Sequence, residues 1–378
     1  MPIALHHTSA RDISPMEAVA YRITGAWTLE PEVRKYDCIP DGLVLVRVLR
    51  VGICAADLRY IAGRRPPEVL RQKLPLVPGH EGVGEVIEVG PGVTEVVPGD
   101  IVAVVPNIPC YVQNPEAYPS IEKACRACRP GGAGSNYCTD VAFLASTVDG
   151  LMQTHVLHPA WGLIKLPDEV PLEVAVLAEP ISVAIAAARQ VAIPCDAPVC
   201  VLGAGVVGYL MALTLSRAFG VKKDWLTVTD VRPQRLEVVK PFANTIATNS
   251  KNGPCAMDDS AALIFECAGG QAAHRTIPQA IRFLVPGGVC MLLGVTEGLV
   301  PIPTRLILDK GLTIKGTTRS TKDDMEEAVE LLRDRDFRAA AARVLYPETF
   351  PAGSIESISD AARIADNPAS YGRVLLRW

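Results

Sequence analysis

The chain has no run of about eighteen consecutive apolar residues, the length a helix needs to cross a bilayer, so no membrane-spanning helix is expected. Its opening stretch, MPIALHHTSARDISPMEA, lacks the basic segment followed by an apolar segment that marks a secretory leader, which makes the cytoplasm the expected location. Net charge is scarce as well. With 37 Lys and Arg against 41 Asp and Glu the balance is −4, too small to gather nucleic acid or an anionic membrane. Internal repeats and low-complexity linkers are missing, so solenoid and tethered-array architectures are excluded. A disulfide framework is not expected either, since the 11 cysteines are odd in number in a long chain without a recognisable secretion signal; core thiols and metal ligands in a reducing compartment account for them better.

What is present is a chain of 378 residues, 49% hydrophobic and 21% charged, long enough for about two domains with apolar surface left over for a homodimer or homotetramer interface. Its expected partner is a small molecule. Up to about residue 165, short valine-rich runs cut by Gly and Pro (LVLVRVLRVG, GVGEVIEVGPGV, DIVAVVP) read as strands and tight turns. After the helical EVAVLAEPISVAIAAARQV, strand and helix signals alternate through APVCVLG, WLTVTD, AALIFECAG, GGVCMLLGV and LTIKGTT, which implies a parallel sheet with crossover helices. KDDMEEAVELLRD reads as an amphipathic helix, and YGRVLLRW as a closing strand.

PVCVLGAGVVGYLMALTLSRAFG places Gly203, Gly205 and Gly208 in G-x-G-x-x-G spacing between a strand and a helix. That context makes the match a dinucleotide loop: one glycine for the turn, one for approach of the pyrophosphate and one for packing, with Val206 and Val207 opening the helix. Asp230 ends the next strand, where a carboxylate would bind the ribose hydroxyls of NAD and repel the 2'-phosphate of NADP. Arg232, two residues on, could face that phosphate, so NAD is the preferred cofactor and NADP the other.

Four further residues form a candidate metal set. VGICAADLRY holds Cys54, VPGHEGVGEV holds His80 and Glu81, and LAEPISV holds Glu179. Taken singly, the thiol reads as core and the His-Glu pair as a solvated turn. Together, one thiolate, one imidazole and two carboxylates suit tetrahedral zinc with a position open to water or substrate.

G-I-C-x-x-D, G-H-E-x-x-G, a later Glu-Pro and the glycine fingerprint, in this order from residue 52 to 208, resemble the zinc-dependent medium-chain dehydrogenase/reductase family over nearly the whole chain. The resemblance implies an α/β protein: a GroES-like, mostly-β catalytic domain from residues 1–178 and 319–378, and a Rossmann doubly wound domain at 179–318. It implies Cys54, His80 and Glu179 as ligands of a catalytic Zn2+, Glu81 as an exchangeable fourth, and Asp57 as the carboxylate that orients the histidine. Arg319, in GTTRS, matches a position that contacts the cofactor pyrophosphate. Family members commonly carry a hydroxyl residue where this chain has Ala56, so the usual proton relay is broken there, and Tyr60 or a water on Glu81 would replace it.

The stretch from Ile53 to Gly84, with TRLILDKGLTIKG and YGRVLLRW, is similar to the ribulose-5-phosphate reductases, also called ribitol-5-phosphate dehydrogenases. That implies reduction of D-ribulose 5-phosphate to D-ribitol 5-phosphate. Arg59, Arg64, Arg65, Arg71 and Lys73 lie between the two zinc motifs and read either as a basic surface loop or as a phosphate contact, with Arg59, Tyr60, Arg65 and Lys73 the candidate substrate residues. Members of that branch tend to use NADPH and commonly lack the cysteine lobe EKACRACRPGGAGSNYC. Here Cys125, Cys128 and Cys138 are expected to bind a second, structural Zn2+, with Glu122 in the first family position as fourth ligand and Cys110 as the alternative. Two rival readings remain: a zinc polyol, sugar or cyclitol dehydrogenase acting on an unphosphorylated substrate, and a silent NAD(P)-binding relative.

Overall fold

The structure is a computed structural model that describes residues 9–248 and 257–378. Two compact units emerge from it. The first takes the described residues up to Glu179 together with Arg319–Arg338 and Leu345–Trp378; the second takes Pro180–Thr318 and the short piece Ala339–Val344.

In the first unit the strand Leu43–Gly52 is central, as its nearly continuous apolar sequence requires: Val44, Val46, Val48 and Val51 are all at most 1% exposed. One of its edges pairs with Glu81–Val89; the other pairs with His155–Pro159 at the start of the strand and with the C-terminal strand Arg373–Arg377 at its end. Ile101–Val104, Leu163–Lys165 and Leu345–Pro351 complete a seven-stranded sheet. The register puts Glu81 opposite Gly52, two residues before Cys54, and Leu375 opposite Gly52 on the far side. Three chain segments far apart in sequence therefore reach one end of one strand. A separate long hairpin, Ala10–Gly25 with Thr28–Pro40, stands beside this sheet.

The second unit is built on a six-stranded, all-parallel sheet. Its order is Asn244–Ala247, Leu226–Asp230, Val199–Leu202, Ala261–Glu266, Leu284–Leu292 and Thr313–Gly316, with the first strand in sequence at the third place and the chain running outward both ways from it. This is the doubly wound order, in which ligands bind beyond the carboxyl ends of the strands where the winding reverses. Val199–Leu202 is buried throughout, as a strand covered by helices on both faces must be.

Candidate active site and metal centres

Cys54 has an extended backbone and begins the helix Ala55–Ile61. Its N–H donates to Asp57 Oδ2 at 3.0 Å, so the helix's first turn folds a carboxylate back onto the chain that carries the thiol. The other oxygen, Oδ1, accepts from the Gly79 N–H at 2.8 Å and lies 3.3 Å from His80 Nδ1. One buried carboxylate thus ties the cysteine loop to the histidine turn. Burial alone would push the Asp57 carboxyl up, but His80 and the two backbone N–H groups outweigh it and hold it below the usual aspartate value. Burial likewise works to lower His80, and the charges of Asp57 and Cys54 raise it well above the ordinary imidazole value. With Nδ1 turned to Asp57, Nε2 is left for a metal.

The Cys54 thiol, a His80 ring nitrogen and a Glu81 carboxylate oxygen all lie within 4.8 Å of one another. A thiolate, an imidazole and a carboxylate at that spacing fit zinc, which accepts S, N and O ligands tetrahedrally. Glu81 is 1% exposed, and its Oε2 makes no hydrogen bond; it lies 2.8 Å from Arg373 Nε in a purely electrostatic contact. A carboxylate held by one ion pair and no hydrogen bond at that oxygen keeps lone pairs for a metal. Glu179 is buried nearby but lies outside the three-residue group; burial pushes its carboxyl up to about 7, Glu81 adds to the rise, and His80 and Arg373 oppose it.

Arg373 is the residue that sequence reasoning missed. It sits on the C-terminal strand, 6% exposed, donating to the Ile53 carbonyl at 2.8 Å while facing Glu81. The one signal was an arginine inside an otherwise apolar closing strand, YGRVLLRW.

Among the candidate substrate residues, Tyr60 is buried and Arg65 lies over its ring at 4.8 Å. Arg64 pairs with Asp366, Arg71 is exposed, and Arg59 and Lys73 are half-buried on the helices Ala55–Ile61 and Pro67–Lys73. Arg319 is elsewhere in this unit. Its guanidinium lies 5.0 Å above the ring of Phe143, and that ring is 5.6 Å from the His80 ring at an interplanar angle of 48°.

The cysteine lobe corrects one expectation. The fourth group beside Cys125, Cys128 and Cys138 is the Cys110 thiol, all four sulfurs lying within 4.8 Å, whereas Glu122 is exposed on a short 3-10 turn outside the group. Position in the family pattern pointed to Glu122; the fold brings back Cys110 from fifteen residues before Cys125, whose N–H approaches Cys110 Sγ at 3.5 Å. The Cys110 N–H in turn donates to Cys138 Sγ at 3.3 Å. Burial works to raise the Cys125 thiol, but backbone N–H groups of Thr139 and Cys128 bring it down to about 6, which leaves a thiolate ready for a metal at neutral pH. Four free thiols converging in one small cluster, three of them buried, suit a closed zinc site with four thiolate ligands.

In the second unit Gly203 takes φ +97°, and a Cβ on Gly208 would lie 1.8 Å from the Gly203 carbonyl oxygen, so glycine is obligatory where the helix starting at Val206 and Val207 packs on its strand. Asp230 is 8% exposed. Its Oδ2 accepts from the Ala204 N–H and its Oδ1 from the Arg232 N–H, both at 2.8 Å, so the carboxylate braces the glycine loop. Arg235 also approaches that carboxylate, with Nη1 at 3.9 Å from Oδ2.

Comparison with known proteins agrees with this geometry. The alcohol dehydrogenase GroES-like domain matches residues 40–168, and the zinc-binding dehydrogenase model matches residues 207–334. Ribulose-5-phosphate reductase 2 of Staphylococcus aureus is 32% identical over 339 residues, 89% of this chain and 92% of that protein. Sorbitol dehydrogenase of Arabidopsis thaliana is 31% identical over 288 residues, 73% of each. Among solved structures, S. aureus TarJ in complex with NADPH superposes with a TM-score of 0.76 at 28% identity, covering 96% of this chain and 99% of that one.

Proposed function

Because the chain belongs to the zinc-binding alcohol dehydrogenase family and is an oxidoreductase, we propose that it moves a hydride between a nicotinamide cofactor and a sugar or polyol, D-ribulose 5-phosphate and D-ribitol 5-phosphate being the favoured pair. The observation that carries this reading is the Cys54, His80 and Glu81 donor set braced from behind by Asp57, in a chain similar over 89% of its length to a ribulose-5-phosphate reductase.

When bound, zinc supplies a Lewis acid for the substrate oxygen and the nicotinamide supplies or accepts the hydride. Cys54, His80 and Glu81 would hold the metal, with Glu179 beside them. Asp57 keeps the His80 proton on Nδ1 and so fixes which nitrogen faces the metal. Arg373 offsets the charges of Glu81 and Glu179, letting several anionic groups share one buried place. Ala56 offers no hydroxyl, so the proton of the alcohol passes through Tyr60 or through a water held by Glu81. Asp230, already braced against the loop, supports NAD(H) over NADP(H), because its second role would be to accept from the ribose hydroxyls and repel a 2'-phosphate. The Cys110, Cys125, Cys128 and Cys138 lobe would hold the structural zinc. The apolar composition supports a homodimer or homotetramer.

The test is a panel of ribulose 5-phosphate, ribulose, sorbitol and simple alcohols with both cofactors, followed by nicotinamide absorbance. A kcat/KM at least a hundredfold higher for ribulose 5-phosphate than for ribulose is expected. Equal rates, or a plain polyol outperforming both, would place the chain with the unphosphorylated-polyol enzymes, as its similarity to a sorbitol dehydrogenase allows.

A further inference from the structure

We propose that Asp149 is a positioning residue for the metal set: gripped by two arginines of the long hairpin, it fixes the turn that presents His80. This role, which rests on reading Cys54, His80 and Glu81 as zinc ligands, complements that of Asp57 at the other end of the same turn.

The turn is the stretch Val77–Gly79, which belongs to no helix or strand. Partners from distant segments lock it. Gly150, Leu151 and Met152 donate their N–H groups to the carbonyls of Val77, Gly79 and Pro78 at 2.7, 2.8 and 2.9 Å. At one end, Asp57 Oδ1 accepts from the Gly79 N–H at 2.8 Å; at the other, Asp149 Oδ1 accepts from the Val77 N–H at 3.1 Å. Two buried carboxylates therefore hold the two ends of the turn from which His80 projects.

Asp149 is itself held by charge. Its side chain is 4% exposed, and its Oδ2 lies 2.6 Å from Arg34 Nη2 and 3.2 Å from Arg22 Nη2, one arginine from each strand of the hairpin. Both arginines also pair with Glu32, at 2.7 Å from Arg22 and 3.0 Å from Arg34. Arg34 Nη1 donates to Gln153 Oε1 at 2.8 Å, and the Gln153 amide donates to the Gly150 carbonyl at 2.6 Å. The hairpin backbone reaches the same two segments, with Ile23 N–H donating to the Leu76 carbonyl at 2.9 Å and Tyr21 N–H to the Met152 carbonyl at 3.0 Å. Burial works to raise the Asp149 carboxyl, and the Val77 N–H and Arg34 outweigh it, keeping it below the usual aspartate value. A buried ion pair is often no more stable than apolar residues of the same volume, so this one is better explained by the place it fixes than by stability. Without Asp149, the buried Val77 N–H loses its acceptor and two guanidinium groups are left facing each other. A turn released at Val77 lets the imidazole drift, and a zinc site holds its ligand distances to within about 0.2 Å.

The test compares Asp149→Ala, which removes the acceptor, and Asp149→Asn, which removes the charge, with wild type. Lys35→Ala, at an exposed ion pair of the same hairpin, is the control. Each holoprotein is challenged with a chelator, the retained zinc is counted by elemental analysis, and the unfolding midpoint is measured. Cobalt-substituted protein, whose thiolate-to-metal absorption differs between a one-thiolate and a four-thiolate site, tells which metal leaves. Expected is a loss of affinity at the Cys54, His80 and Glu81 site of about ten- to thirtyfold in D149A and about five- to tenfold in D149N, near the lower end for losing support behind a metal-ligating histidine. The metal of the cysteine lobe and the K35A protein should match wild type. Should D149A fail to fold, D149N carries the same test. Retention of the catalytic metal within twofold, even with a lower midpoint, overturns the proposal, because Asp149 would then serve stability alone. Parallel loss of both metals overturns it as well, being the mark of general loosening. A wild type that binds no metal at Cys54, His80 and Glu81 overturns the zinc reading itself.

Discussion

Replacing Asp57 by Asn changes one atom of the side chain yet removes something no neighbour can supply. The carboxylate accepts from Cys54 N–H at 3.0 Å and from Gly79 N–H at 2.8 Å, and faces His80 Nδ1 at 3.3 Å, while only 1% exposed. An amide has one acceptor oxygen. If that oxygen keeps Gly79 and His80, the NH2 group confronts the Cys54 N–H, and a buried donor is orphaned at about 1–3 kcal/mol. Loss of the negative charge also turns a charge-assisted contact with His80 into a neutral one, roughly another 1 kcal/mol. Since the side chain supports two of the three grouped metal-set residues, part of the cost should appear as metal affinity, about ten- to a hundredfold, the usual effect of losing a partner behind a metal-ligating histidine. The assay is chelator competition on purified holoprotein at fixed pH, with zinc counted by elemental analysis, beside the thermal unfolding midpoint. An Asp57→Asn protein that keeps its catalytic zinc within twofold of wild type across the chelator series would refute the reasoning, because the carboxylate would then hold nothing that matters to the metal set.

For the cysteine lobe, Cys110→Ser should lose one zinc equivalent per chain and lower the unfolding midpoint, since structural zinc contributes folding free energy directly, whereas Glu122→Ala should keep full stoichiometry; elemental analysis showing the reverse sinks the assignment. His158 is fully buried with neither ring nitrogen hydrogen-bonded, and burial takes it down to about 4 from 6.5. Its folded value is the lower one, so unfolding takes up a proton: the contribution is intact above pH 6.5 and is lost as pH falls from there towards 4. Wild type should therefore lose about 2–3 kcal/mol more than His158→Gln between pH 7 and 4.5, and parallel stability curves from denaturant titrations would contradict this. Asp230→Ala removes both the brace on the Ala204 and Arg232 N–H groups and the anion facing the ribose, so NADH should weaken by about tenfold and the preference over NADPH should narrow or reverse; an unchanged ratio of kcat/KM for the two cofactors speaks against the carboxylate as selector.

The sequence by itself determined what local rules decide. The glycine loop, its strand and its helix are contiguous, so sterics at Gly203 and Gly208 fix them within some two dozen residues. Asp57 was legible only through the family motif, and the helix that follows Cys54 gives the local reason, folding the carboxylate back over three positions onto the Cys54 N–H. The alternation of strands and helices in the middle of the chain announced a parallel sheet, and the parallel sheet fixes where a dinucleotide can lie. Tertiary structure alone decided the pairings between distant segments. Arg373 reaches the Ile53 carbonyl across 320 positions, and Glu81, because the C-terminal strand adds to the edge of the one ending at Gly52; no periodicity encodes that register. Cys110 displaces Glu122 beside the other three thiols because the chain doubles back across the lobe, which residue spacing counted along the sequence cannot register. Arg319 meets the face of Phe143 for the same reason: what a charged side chain meets is set by packing in three dimensions, and that packing fixes its energetic cost.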